Sequence, residues 1–124
     1  VRIWIAVAAG GAIGAVVRFA ISRGAAQALG TAFPWGTFAA NALGAFVIGM
    51  LVAWFSLRLS VGPAVRALVL TGLLGALTTF STFSLETLEL ARSGAVGRAA
   101  LNVGANVTAS LVLVWLGYLL GGRL

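Results

Sequence analysis

Hydroxyls and aromatic rings alternate in one short stretch of an otherwise apolar chain. Thr78, Thr79, Ser81, Thr82 and Ser84 place five hydroxyls within seven residues, with Phe80 and Phe83 between them and Glu86 just beyond. A single Ser or Thr in a membrane helix satisfies its hydroxyl on the backbone. Five together, preceded by Gly72 and Gly75, point to a local break whose free carbonyls and hydroxyls line a cavity or bind an ion; simple glue between helices is the plainer alternative. Phe80 and Phe83 are three residues apart and share one face of a continued helix. Their ordinary role would be packing or lipid contact. Interleaved with hydroxyls, their ring edges suit an anion and their faces a cation.

Other polar residues stand alone in apolar surroundings. Asn41 is a lone amide that must find a partner. Asn102, Asn106 and Ser110 recur every four residues and make one polar stripe, which serves either interhelical hydrogen bonding or a pore. Glu86 is a functional candidate as an intramembrane carboxylate, or a boundary residue grouped with Glu89 and Arg92. Arg18 either snorkels or offers positive charge to an anion in a vestibule. The chain has no His, Cys or Lys. Thiolate chemistry and the usual proton shuttle are therefore missing, and no nucleotide loop or metal-ligand spacing is present. Nothing in it reads as an enzyme.

These residues must be positioned by membrane helices. Hydrophobic residues make up 61% of the 124 and charged residues 8%, against about 25% charged in soluble domains. Charge is absent from Ile3 to Val17, Gly24 to Leu57, Ala67 to Leu85 and Ala99 to Gly122. A spanning helix needs about 20 apolar residues, and long runs without alternation favour helices over a barrel. Four spans follow: Ile3 to Leu29, Trp35 to Leu57, Ala64 to Arg92 and Ala95 to Leu120. Pro34 is placed to open the second, and Ser93 and Gly94 turn the chain into the fourth. Every connection is short, so residues 1–124 form a single four-helix transmembrane domain. Arg2 followed by an apolar run resembles a signal peptide, but the continuation through Arg18 makes it a true first helix. Gly10, Gly14, Gly44, Gly49, Gly72 and Gly75 suit close helix packing.

The net charge of +6 comes from eight arginines against Glu86 and Glu89. Arginines at the ends of apolar runs are interfacial anchors rather than a nucleic-acid surface. Four spans put both termini on one side, with Arg2, Arg58, Arg66 and Arg123. Arg23, Arg92 and Arg98 face the other side, joined by Arg18 if it snorkels there. So small an excess gives the positive-inside rule almost nothing to act on. Insertion both ways round, and pairing with an inverted copy, fits that balance.

Three segments together resemble the Fluc family of fluoride channels, also called CrcB: GGAIGAVVRF (Gly10 to Phe19), PWGTFAANALGAFVIG (Pro34 to Gly49) and GLLGALTTFSTFSLE (Gly72 to Glu86). The third is the most specific. The resemblance implies an all-α membrane protein whose third helix is broken mid-membrane. It implies a dual-topology antiparallel homodimer with two fluoride pores in the cytoplasmic membrane. It further implies a structural sodium ion at the dimer centre, held by the carbonyls of Gly75 and Thr78. Phe80 and Phe83 would be the pore rings, Asn41 the pore amide, and Ser81, Thr82 and Ser84 a hydroxyl track. Arg18 would stand near an aqueous vestibule. Asn102, Asn106 and Ser110 lie in the part of the chain that matches less closely. A small multidrug-type transporter is the alternative, but it calls for a carboxylate in the first span, where this chain has none. A structural subunit without transport is a third class.

Overall fold

The computed structural model describes residues 1–58 and 60–124. Helix α1 runs Arg2–Leu29 without a break, and α2 runs Trp35–Ser56. The third apolar segment is less regular. It opens with the single turn α3, Pro63–Arg66, continues as a π-helical stretch, Ala67–Leu74, and returns to α-helix in α4, Gly75–Leu77. Helix α5 is Phe80–Arg92 and α6 is Val96–Gly121. Four helical segments are long and apolar enough to cross a membrane: Arg2–Leu29, Trp35–Ser56, Pro63–Arg92 and Val96–Gly121. The protein is an all-helical, multi-pass membrane protein.

Turn chemistry follows the residues. Gly30 ends α1 at φ 80° and Gly94 turns the chain at φ 86°, backbone that a side chain would strain. Pro34 is the N-cap of α2 and Pro63 the first residue of α3, where a missing N–H costs little. Arg66 fastens the α2 end to the third segment. Its guanidinium donates to the Phe55 carbonyl at 2.5 Å and stacks 5.5 Å from the centre of the Phe55 ring.

Two close helix contacts build the bundle, and glycine makes both possible. A Cβ at Gly10 would strike the Leu68 carbonyl, and one at Gly14 the Leu73 carbonyl. Gly72 returns the contact against the Val7 carbonyl, so α1 lies backbone to backbone on the π-helical stretch. Between α2 and α6, Gly49 faces the Val114 carbonyl, Gly117 the Phe46 carbonyl and Gly121 the Met50 carbonyl. Without a hydrophobic drive in lipid, this intimate packing is what holds helices together. The sequence pattern anticipates Gly10, Gly14, Gly49 and Gly72 as packing positions. Gly75, grouped with them, is different: the nearest atom to its missing Cβ is the Leu70 carbonyl at 3.8 Å. Gly117 and Gly121 complete the second seam without having been singled out from the sequence.

The π-helical stretch, eight residues long, was also not expected. Wide turns of this kind have no composition signature and gather at functional sites. This one delivers the chain to Thr78 and Thr79, whose backbone is extended, with ψ 153° at Thr78 and φ −152°, ψ 122° at Thr79.

Candidate functional site

Thr79 is the N-cap of α5: its Oγ1 accepts the Thr82 N–H at 3.2 Å. Threonine suits this position because its hydroxyl replaces a missing helical acceptor. Asn41 grips the same residue at two points. Its Oδ1 accepts the Thr79 N–H at 2.7 Å, and its Nδ2 donates to the Thr79 carbonyl at 3.2 Å. Both bonds imitate a strand pair and hold Thr79 extended against α2.

These bonds divert donors from the carbonyls before the extended pair. A continuous helix would give the Thr79 N–H to Gly75 and the Thr82 N–H to Thr78. Here those protons go to Asn41 and to the Thr79 side chain. The Ala76 carbonyl between them receives the Arg18 Nε at 3.0 Å. Arg18, a vestibule candidate from the sequence, therefore also caps the end of α4. Gly44 makes room for the Thr78 methyl, which a Cβ there would strike.

A groove of about 470 Å³ opens beside this point. Asn41, Phe80, Phe83, Gly75, Thr78, Asn106 and Ser110 all line it. The two rings meet edge to face, 5.2 Å apart at 63°. Phe83 is 6% exposed and Phe80 76% exposed. Ser81, Thr82 and Ser84 are not among the lining residues. Ser81 Oγ lies 3.3 Å from Thr79 Oγ1, and Ser84 donates back to the Phe80 carbonyl at 2.8 Å.

The asparagines of α6 turn inward. Asn102 is fully buried and Asn106 is 5% exposed. Asn41 Nδ2 donates to Asn106 Oδ1 at 3.0 Å, and Asn106 Nδ2 donates to the side-chain and main-chain oxygens of Asn102, both at 2.9 Å. Asn102 Nδ2 then donates to Thr87 Oγ1 at 2.9 Å, and Thr87 to the Phe83 carbonyl at 2.8 Å. Of the two roles open to the stripe, Asn102 and Asn106 thus take up interhelical bonding, while Asn106 and Ser110 also reach the groove. Neither the part of Thr79 as the anchor of Asn41 nor that of Thr87 as the acceptor for Asn102 follows from the residue pattern. The available signal for Thr87 was its place one turn after Phe83 on the same helix face.

Glu86 lies elsewhere. It lines a second cavity of about 370 Å³ with Ser22, Thr37, Glu89 and Ser93, near the α1–α2 connection. Its Oε1 is buried without a hydrogen-bond partner among the described residues.

Comparison with known proteins places this chain in a family. The model described as "CrcB-like protein, Camphor Resistance (CrcB)" matches residues 5–118. A protein of Magnetococcus marinus named "Fluoride-specific ion channel FluC" is 50% identical over 118 residues, covering 95% of this chain and 94% of its own length. One of the same name from Acidobacterium capsulatum is 41% identical over 122 residues, covering 98% and 96%. Another, from Shewanella amazonensis, is 51% identical over 111 residues, covering 90% and 89%. With nearly the whole chain matched by the family model and by these relatives, the chain belongs to the CrcB family.

Proposed function

We propose that this protein is a fluoride-selective channel, giving passive fluoride export across the cytoplasmic membrane through two pores in an antiparallel homodimer. The observation that carries this reading is the groove where Phe80, Phe83, Asn41 and Ser110 meet beside the extended Thr78–Thr79 pair. The name borne by its relatives agrees with it. Fluoride holds its water tightly, so a path must replace that water with close donors and positive ring edges. The path must also let the ion go. Ser81, Thr82 and Ser84 extend the donor set along α5. For Ser84 to serve an ion, its hydroxyl must leave the Phe80 carbonyl, a local bond worth about 0.5–1.5 kcal/mol. Arg18 keeps the rest of its guanidinium for an aqueous vestibule while its Nε holds Ala76. The experiment is fluoride efflux from liposomes holding purified protein, with chloride as comparator. Equal rates for both ions, or none for fluoride, would overturn the reading.

In this proposal the interruption at Thr78–Thr79 lies at membrane depth, where irregular backbone survives only in protein or beside a cavity. Gly75 and Thr78 offer neutral carbonyl oxygens whose usual helical donors are engaged elsewhere. Such oxygens suit a small hard cation. No group of three or more acidic or His side chains competes for one among the described residues. Two antiparallel copies would bring four such carbonyls around one sodium ion. Preparing the protein with a large organic cation in place of sodium is expected to lower its melting temperature by several degrees. An unchanged melting curve would count against the site.

The near-even arginine balance supports dual topology. A single-Cys variant, Ser60→Cys, should be labelled from both faces of a cell membrane in roughly equal amounts. Labelling from one face alone would refute it.

A further inference from the structure

The hydrogen bonds from Thr79 to Phe83 form one directed circuit, and each member fixes the next. The Thr79 N–H can only donate, so Asn41 must present Oδ1 to it and Nδ2 to its other neighbours. Asn106 must then present Oδ1 to Asn41, which turns its own Nδ2 toward Asn102. Asn102 presents Oδ1 to Asn106, leaving Nδ2 for Thr87, whose hydroxyl proton goes to the Phe83 carbonyl. The circuit leaves the start of α5, crosses α2 and α6, re-enters α5 at Thr87 about two turns on, and ends at the Phe83 carbonyl. Both protons of Asn41 Nδ2 have acceptors within it, at 3.2 and 3.0 Å. In this arrangement Asn41 holds the groove wall before it can serve as a donor to any ion.

We propose that Thr87, Asn102 and Asn106 are positioning residues: acting through Asn41, their one-way relay fixes the extended Thr79 and the first turns of α5, and so sets Phe80 and Phe83. Buried amides are costly unless every partner is in place, so the relay has few alternative arrangements. Reversing one amide would face donor to donor at the next, and the error would travel to Thr79. Asn102 is fully buried, so a partner it loses is not replaced by bulk solvent.

The relay is tested on the full-length protein, with flux as one readout, which rests on the fluoride-channel reading, and amide exchange as another, which does not. Thr87→Val keeps the side-chain shape and removes the acceptor. Exchange at the Thr79 amide should rise about tenfold and fluoride efflux should fall about tenfold, with an unchanged elution profile. Thr87→Ser restores the hydroxyl and should return both to within about twofold of the parent. In an Asn41→Leu background, Thr87→Val should cause no further change, because the path to Thr79 is already cut. Asn102→Leu should reproduce Thr87→Val; if it fails to fold, the threonine pair decides alone. Parental Thr79 protection in well-folded Thr87→Val, or equal damage from Thr87→Ser, would overturn the relay. A parent protein that moves no fluoride would overturn the channel reading, while the exchange result still decides the relay.

Discussion

Phe80→Ile is expected to remove most fluoride flux while leaving folding and elution unchanged. The structure separates these two effects better at Phe80 than at Phe83. Phe80 is 76% exposed within the protomer, so little of its packing is lost on substitution. Isoleucine keeps bulk and apolarity but has no ring quadrupole. Ring interactions of this kind are worth about 0.5–1.5 kcal/mol, and about 1.4 kcal/mol on a barrier is a factor of ten in rate. Where a path depends on near-equal wells, loss at one site slows the whole passage. Phe83→Ile should also close the path, but Phe83 is 6% exposed and packed edge to face on Phe80, so part of its loss will be stability. Efflux must therefore be measured beside a melting curve for both variants. Parental flux in well-folded Phe80→Ile would leave the rings as packing or lipid contacts. The anion path would then lie along Asn106 and Ser110.

The four spans were legible because lipid demands about 20 apolar residues per helix and punishes charge. The hydroxyl-rich stretch stood out for a different reason: no ordinary helix needs five hydroxyls in seven residues, and the extended Thr78 and Thr79 fall within it. What lay beyond the sequence was the partner of each polar group. Asn41 plainly required one, but only the packing of α2 on α6 selects Thr79 and Asn106. The four-residue spacing of Asn102 and Asn106 showed a shared face without showing what that face meets. Arg18 looked like an anchor or a vestibule charge, and its bond to the Ala76 carbonyl spans 58 residues of sequence. The π-helical stretch has no residue signature at all. Glycine spacing was a partial guide. Gly72 meets α1 backbone, whereas Gly75, three residues on, has only the Leu70 carbonyl before it, at an ordinary contact distance of 3.8 Å. Which glycine lies in a seam depends on the rotation of the helix, and the π-helical turn changes that rotation.

The α2–α6 seam yields the second large effect. Gly49→Ala should cost about 1–3 kcal/mol of stability or prevent assembly, since overpacking of this order is typical even where neighbours can move. Here the added Cβ meets the Val114 carbonyl and the Tyr118 nitrogen, which are backbone atoms and cannot rotate away. Gly104→Ala, on the open side of α6 with no atom within 4 Å, should be neutral or stabilising by up to about 1 kcal/mol. Melting curves of the two variants in one detergent make the comparison, and equal melting temperatures would show that the seam tolerates a methyl group. The seam also sets function at a distance. Forcing α6 away from α2 stretches the 3.0 Å bond between Asn41 and Asn106, so surviving Gly49→Ala protein should conduct poorly. Gly44→Ala separates spacing from stability. Its Cβ meets the Thr78 methyl rather than backbone, and Thr78 can yield only by turning its side chain. That turn breaks the 3.0 Å bond from the Thr78 hydroxyl to the Leu74 carbonyl. A modest fall in stability, about 1 kcal/mol, should therefore accompany a larger fall in fluoride flux, because the disturbed Thr78 is extended and lines the groove rather than the seam.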